Sequence, residues 1–346
     1  MRYLAFLLAL LLAPWAAAQS FPPSPAVAAK AWVVVDHTSG LALAGQGADE
    51  RVEPASLTKL MTAYLTFAAL KEGKIKADQV VPVSERAWRA QGSRMFIDPK
   101  QSVTVSELIR GMIVQSGNDA CVALAEAIAG SEETFVHMMN QEAGRMGLAN
   151  THFMNATGMP DPQHYTTAND LAKLARAVIR DFPDQSPIYS TKEYTYNKTT
   201  HPNRNRLLWL DPTVDGVKTG HTESAGFCLI ASAKRGARRL TSVVLGTASD
   251  AVRAQESLKL LNFGFQAFDA VKLYDKNQAV SNLKVFKGSL NTVKAGFAED
   301  FVLSLPKGMA DKIKVQLVSR QPLMAPVQQG QQVATLKLTV DGKPWG

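Results

Sequence analysis

The sequence predicts an α+β domain followed by a small all-β domain. Three observations carry this. Strand-like runs stand at both ends of a long stretch with helical spacing, between about residues 31 and 246. After residue 271 the texture changes to short alternating runs separated by Gly and Pro turns. At 346 residues the chain is long enough to bury two cores. A composition of 46% hydrophobic and 20% charged residues excludes disordered, collagen-like and polytopic membrane classes. The net charge of +8 contains no long like-charge block. Such a balance suits contact with anionic polymers or a membrane surface, and equally suits an ordinary soluble protein.

Residues 1–18, MRYLAFLLALLLAPWAAA, combine one Arg, an apolar run and Ala16-Ala17-Ala18 before Gln19. That is the layout of a secretory signal peptide, and the apolar run is too short for a mature membrane span. The mature chain is therefore expected outside the cytoplasm. Ala31–Val35 reads as a strand that Thr38-Ser39-Gly40 turns back through Leu41–Ala44. From Ser56 to Leu70 the apolar residues Leu57, Leu60, Met61, Tyr64, Leu65 and Ala68 follow helical spacing, and Gly73 ends the helix. A second helix is expected from an N-cap at Ser106 to Val114, with a break at Ser116-Gly117-Asn118. A third runs from Asp119 to Gly130. Helices follow at 132–146, 168–180 and 250–267, and residues 225–234 and 239–246 form a hairpin about Gly236. The expected domains are 26–268 and 272–346, the second a β sandwich. Cys121 and Cys228 sit in apolar runs and read as two buried thiols, although an oxidising compartment would permit a disulfide.

Three short motifs carry chemistry. Ser56-Leu57-Thr58-Lys59 places a hydroxyl and an amine three apart at a helix start, where they share a face. A serine nucleophile needs such a base, and the helix N-terminus favours developing negative charge. Ser281–Lys284 and Ser304–Lys307 repeat the pattern, but in strand-like runs that send the two side chains to opposite faces. Ser116-Gly117-Asn118 falls between two helices, where a loop can present both polar side chains, or where they merely cap. Ser289-Leu290-Asn291 repeats that pattern too. Lys218-Thr219-Gly220 occurs once, ahead of the 225–234 strand, and Gly220 would let a ligand backbone lie close. Order and context make the set specific: all three fall in sequence within one α+β domain.

On these residues the chain resembles the low-molecular-mass penicillin-binding proteins of the D-alanyl-D-alanine carboxypeptidase type, peptidase family S11, the penicillin-binding protein 5 group. The similarity includes Pro54–Thr62, Ser116–Cys121, Asn150–Phe153, Pro202–Asn205 and Asp215–Thr222, and extends from about residue 26 to 340. Gly117 departs from the class A β-lactamase pattern, which has Asp there. The resemblance implies a serine β-lactamase-like fold. It also implies removal of the terminal D-alanine from peptidoglycan stem pentapeptides, and acylation by β-lactam antibiotics. It assigns Ser56 as nucleophile, Lys59 as base, and Ser116 with Lys218 as the route of a proton to the leaving amine. Asn118 would hold the substrate peptide, and Thr219 and Arg204 its carboxylate; Arg204 could instead be a surface charge. The oxyanion hole would be the backbone N–H groups of Ser56 and His221.

No cofactor, metal or nucleic acid is expected: the six His show no zinc spacing, and no phosphate loop or basic-aromatic pattern occurs. In the family an amphipathic helix after the β domain lies on the inner membrane. This sequence stops at Lys343-Pro344-Trp345-Gly346, which implies either a soluble periplasmic enzyme or a truncated form, and the end in mid-strand texture favours truncation. The alternatives are a DD-endopeptidase or weak β-lactamase on the same site, and a non-enzymatic murein-binding scaffold.

Overall fold

The computed structural model describes residues 22–345; the leader assigned to residues 1–18 lies outside the described residues. A five-stranded antiparallel sheet organises the first domain. Its strands are β1 (Ala31–Asp36), β2 (Ala42–Gln46), β3 (Val214–Thr222), β4 (Gly226–Arg235) and β5 (Arg238–Thr247), in spatial order β2-β1-β5-β4-β3. All six residues of β1 are buried because both faces of the sheet are covered. Val33 and Val35 face a large helical cluster, whereas Trp32 and Val34 face a second core built with the C-terminal helix of the domain. A continuous apolar run, not an alternating one, is what such a strand requires.

The longer helices are α1 (Lys59–Lys71), α2 (Val105–Arg110), α3 (Asn118–Ala129), α4 (Glu132–Arg145), α5 (Ala168–Asp181) and α6 (Asp250–Ala267). Two boundaries differ from the sequence reading. The cap of α2 is Thr104, not Ser106: Thr104 Oγ1 accepts from Glu107 N, and the Glu107 carboxylate accepts from Thr104 N, which closes a capping box. Helix α3 starts at Asn118, one residue earlier than expected, because the Asp119 carboxylate is committed to N–H groups of its own first turn and of a neighbouring loop. Between α2 and α3 the chain widens into a π turn, Gly111–Gln115, and leaves it through Ser116 in the left-handed region, φ +65°.

Strand β6 (Phe268–Tyr274) follows α6 with no intervening residue. The strands that follow it are β7 (Ala279–Phe286), β8 (Thr292–Gly296), β9 (Phe301–Pro306), β10 (Ile313–Ser319), β11 (Leu323–Met324), β12 (Ala334–Val340) and β13 (Lys343–Pro344). They pair as β6-β9, β8-β7-β11 and β10-β12-β13, around two small cores centred on Leu305 and Leu283. Both decoy Ser-x-x-Lys segments lie here. Ser281 to Lys284 is in β7, and Ser304 is buried in β9 with its hydroxyl 3.0 Å from Ser39 Oγ. Cys121 and Cys228 are separate buried thiols.

Candidate active site

The three motifs converge on one cleft of about 720 Å³, lined among others by Ser56, Ser116, Asn118, Arg204, Thr219 and His221. A larger hollow of about 1610 Å³, lined by Tyr64, Arg145, Arg176 and Asp300 among others, contains no motif residue. Chemistry, not size, marks the site.

Ser56 sits in a single 3₁₀ turn, Ala55–Thr58, that leads straight into α1. At three residues per turn, positions i and i+3 eclipse, which brings Lys59 under Ser56. Lys59 Nζ lies 3.0 Å from Ser56 Oγ, 2.6 Å from Asn118 Oδ1 and 2.6 Å from the Thr157 carbonyl oxygen. The side chain is fully buried, and burial lowers its pKa to about 8, with the Arg204 charge acting in the same direction. A neutral amine has two N–H groups and one lone pair. The two carbonyl oxygens take both N–H groups, so the lone pair falls on the side of Ser56 Oγ.

Across the cleft, Lys218 Nζ donates to Ser116 Oγ at 2.9 Å and to its neighbour's carbonyl, Thr219 O, at 2.9 Å. Burial, then the charges of Lys59 and Arg204, push the Lys218 pKa well below its ordinary value. Three basic side chains therefore share one small volume, and an anion arriving there would favour their protonated forms. The Asn118 amide links the two halves: its oxygen accepts from Lys59, and its Nδ2 donates to the Gln91 carbonyl at 2.6 Å, leaving one N–H toward the cleft.

Strand β3 is one edge of the sheet and runs along the nucleophile turn. Gly220 makes that approach possible: a Cβ there would stand 3.2 Å from both Leu57 Cγ and the Pro54 carbonyl oxygen. The sequence reading gave this missing side chain to a ligand; the structure gives it to the protein's own turn. His221 projects outward, its exposed ring 4.0 Å from that of Phe227. Arg204 is exposed on the wall of the cleft.

Residues 17–249 match the family model described as D-alanyl-D-alanine carboxypeptidase, and residues 268–346 match that of the penicillin-binding protein 5 C-terminal domain. The chain belongs to the D-alanyl-D-alanine carboxypeptidase family. It is 43% identical over 342 residues to D-alanyl-D-alanine carboxypeptidase DacC of Escherichia coli (strain K12), covering 96% of this chain and 86% of that protein. Penicillin-binding protein 5 from Haemophilus influenzae superposes with a TM-score of 0.88 at 41% identity, over 94% of this chain and 96% of that one. Penicillin-binding protein D2 from Listeria monocytogenes, in its ampicillin-bound form, gives 0.65 at 30% identity, over 70% and 100% of the two chains.

Four residues of this carboxypeptidase site escaped the sequence reading. Thr157 supplies the carbonyl that holds Lys59, on a loop where Gly158 adopts φ +87° and a Cβ would overlap the Ala55 carbonyl oxygen. Asp119 accepts from the backbone N–H groups of Met95, Phe96, Ile97 and Ala120, pinning the loop that carries Gln91 and Ser93 to the cleft. His164 Nε2 lies 3.0 Å from Thr58 Oγ1, behind the nucleophile turn. Arg253, on α6, is buried with Asp250 as its ion pair and donates to the carbonyls of Gly220 and Cys228. Of these only Asp119, adjacent to a motif, had a signal nearby. Nothing in the sequence separates Arg253 from other helix arginines.

Proposed function

We propose that the chain removes the C-terminal D-alanine from peptidoglycan stem pentapeptides through an acyl-enzyme on Ser56. The observation that carries this is the Ser56 Oγ–Lys59 Nζ distance of 3.0 Å, with a buried amine whose pKa is lowered to about 8. Neutral Lys59 takes the Ser56 proton as Oγ bonds to the carbonyl carbon of the D-Ala-D-Ala peptide. The carbonyl oxygen gains charge between the backbone N–H groups of Ser56 and His221. Collapse breaks the C–N bond, and the proton that Lys59 took from Ser56 passes to the leaving amine through Ser116, which Lys218 holds at 2.9 Å, so Lys59 is neutral again. Water then adds to the ester and Ser56 leaves with its proton restored, Lys59 acting first as base and then as acid.

Thr219 and Arg204 would hold the terminal carboxylate, near the side chains of Lys218 and Arg253. Asn118 would direct its remaining N–H to the substrate peptide, which would lie along the edge strand β3. A β-lactam would follow the first half of the same path; the ampicillin-bound form of the Listeria relative supports this. The catalytic unit would span residues 26–268 and the β unit residues 272–346. Residues 1–18 would direct export to the periplasm. No helix among the described residues is long and apolar enough to cross a membrane, and attachment to the inner-membrane surface through a further C-terminal segment is part of the same reading.

The test is release of free D-alanine from a soluble muramyl pentapeptide, beside Ser56→Ala. We expect release by the parent and loss of both release and penicillin acylation in the variant. No release from a folded parent that cleaves cross-linked dimers would favour the endopeptidase instead.

A further inference from the structure

The β domain distributes its charge unevenly. Between Lys276 and Ala298, and again between Lys312 and Val340, the sequence has no Asp or Glu. The acidic residues Glu299 and Asp300 lie instead against the first domain, on the wall of the hollow shared with Arg145 and Arg176. The β8-β7-β11 sheet takes no part in that junction: its core of Leu283, Ala295 and Leu323 packs only against other β-domain residues.

Strand register assigns the faces of this sheet. Leu283 and Val285 point into the core, so Lys284 and Phe286 point out. Phe286 pairs with Met324, Lys284 with Thr292, and Asn282 with Lys294, which puts Lys294 and Met324 on the same outer face. The β7-β8 turn adds Lys287 and Leu290. Phe286, Leu290 and Met324 are 50%, 73% and 43% exposed. Among the described residues, Lys284, Lys287 and Lys294 belong to no ion pair, unlike Lys272, Lys276 and Lys312 in the same domain.

One exposed leucine means little. Three large apolar side chains beside three unpaired lysines, with no carboxylate within the segment, form an amphipathic tip that neither water nor a neutral partner explains. We propose that this face of the β domain docks on an anionic lipid bilayer. The lysines would sit at the headgroup phosphates while Leu290 and Phe286 enter the interface. A carboxylate-bearing polymer such as murein would engage the lysines but leave the apolar tip in water, so the lipid surface is the better fit.

The experiment is flotation of the chain without residues 1–18 on phosphatidylcholine vesicles with and without phosphatidylglycerol, at low and high salt. Lys284→Glu/Lys287→Glu/Lys294→Glu and Leu290→Glu variants run beside it, with D-alanine release from soluble peptide as the check on folding. Flotation should require phosphatidylglycerol and fade with salt. It should fall roughly a hundredfold in the triple variant, at roughly fivefold per lysine near an anionic surface. A fluorophore on Leu290→Cys should shift to the blue on these vesicles. No flotation with phosphatidylglycerol, flotation unchanged by the triple variant, or binding to murein sacculi alone would each overturn the proposal.

Discussion

Lys59 meets three oxygens, and its protonation state decides whether Ser56 can attack. Its pKa is lowered from 10.5 to about 8, so the neutral fraction grows as pH rises to that point. The rate of penicillin acylation should therefore climb about tenfold per pH unit below the midpoint and level off above it. A flat profile between pH 6 and about 8 would sink Lys59 as the base. The sign for stability is the same: from about 8 to 10.5 the unfolded chain holds a proton the folded one lacks, so this group stabilises the fold as pH rises. Behind the turn, burial lowers the His164 pKa to about 4, so the ring is neutral at its 3.0 Å contact with Thr58 Oγ1. His164→Phe would leave that buried hydroxyl unpaired, at a cost of about 1–3 kcal/mol in urea unfolding, and should slow acylation. His164→Gln keeps a polar partner and should recover most of both; a Phe variant equal to the parent would refute the role. Ser56, Lys59, Ser116 and Lys218 were legible as residue types in order. Thr157 was not, because it contributes a main-chain carbonyl, which every residue has.

At the scale of elements, the site depends on how closely strand β3 approaches the Ala55–Thr58 turn. Gly220→Ala would place a methyl 3.2 Å from Leu57 Cγ and from the Pro54 oxygen, atoms fixed in the core and in the main chain. The edge strand must then move outward by some tenths of an ångström. We expect kcat/KM for D-alanine release to fall about tenfold to a hundredfold with little loss of thermal stability. Unchanged kinetics would show that the turn can give. Helices α1, α4, α5 and α6, and the β4-β5 hairpin, were legible because 3.6- and 2-residue periods each follow from a single buried face. The cap of α2 was misread although the sequence favours Thr104. Glu107 stands three residues after it and reaches back to Thr104 N, whereas Ile109 stands three after Ser106.

At the scale of the molecule, the two domains meet through Asp36 and Arg238. Asp36 is fully buried and accepts from Arg238 Nε at 2.9 Å, while Arg238 Nη1 donates to the carbonyls of Gly264 and Phe268. One guanidinium thus joins β1, α6 and the start of β6, the strand that leads into the β domain, beside the Ser39–Ser304 contact. Arg238→Ala would leave Asp36 buried and unpaired, costing about 3–5 kcal/mol. Calorimetry should resolve two transitions in place of one, with activity on soluble peptide in native buffer within a few-fold of the parent. A single transition at the parent's temperature would show that the apolar contacts of Leu41 suffice.

The sequence by itself determined the order of elements, the change of texture after residue 271 and the three motifs, since periodicity and local spacing are properties of neighbours along the chain. Tertiary structure alone decided how the motifs meet. It brings Asn118 Oδ1 to 2.6 Å from Lys59 Nζ and Ser116 Oγ to 2.9 Å from Lys218 Nζ, in one cleft. It also decided that the pKa values of Lys59 and Lys218 fall, because burial comes from the fold and the charges facing them come from residues as far apart in sequence as Lys59 and Arg253.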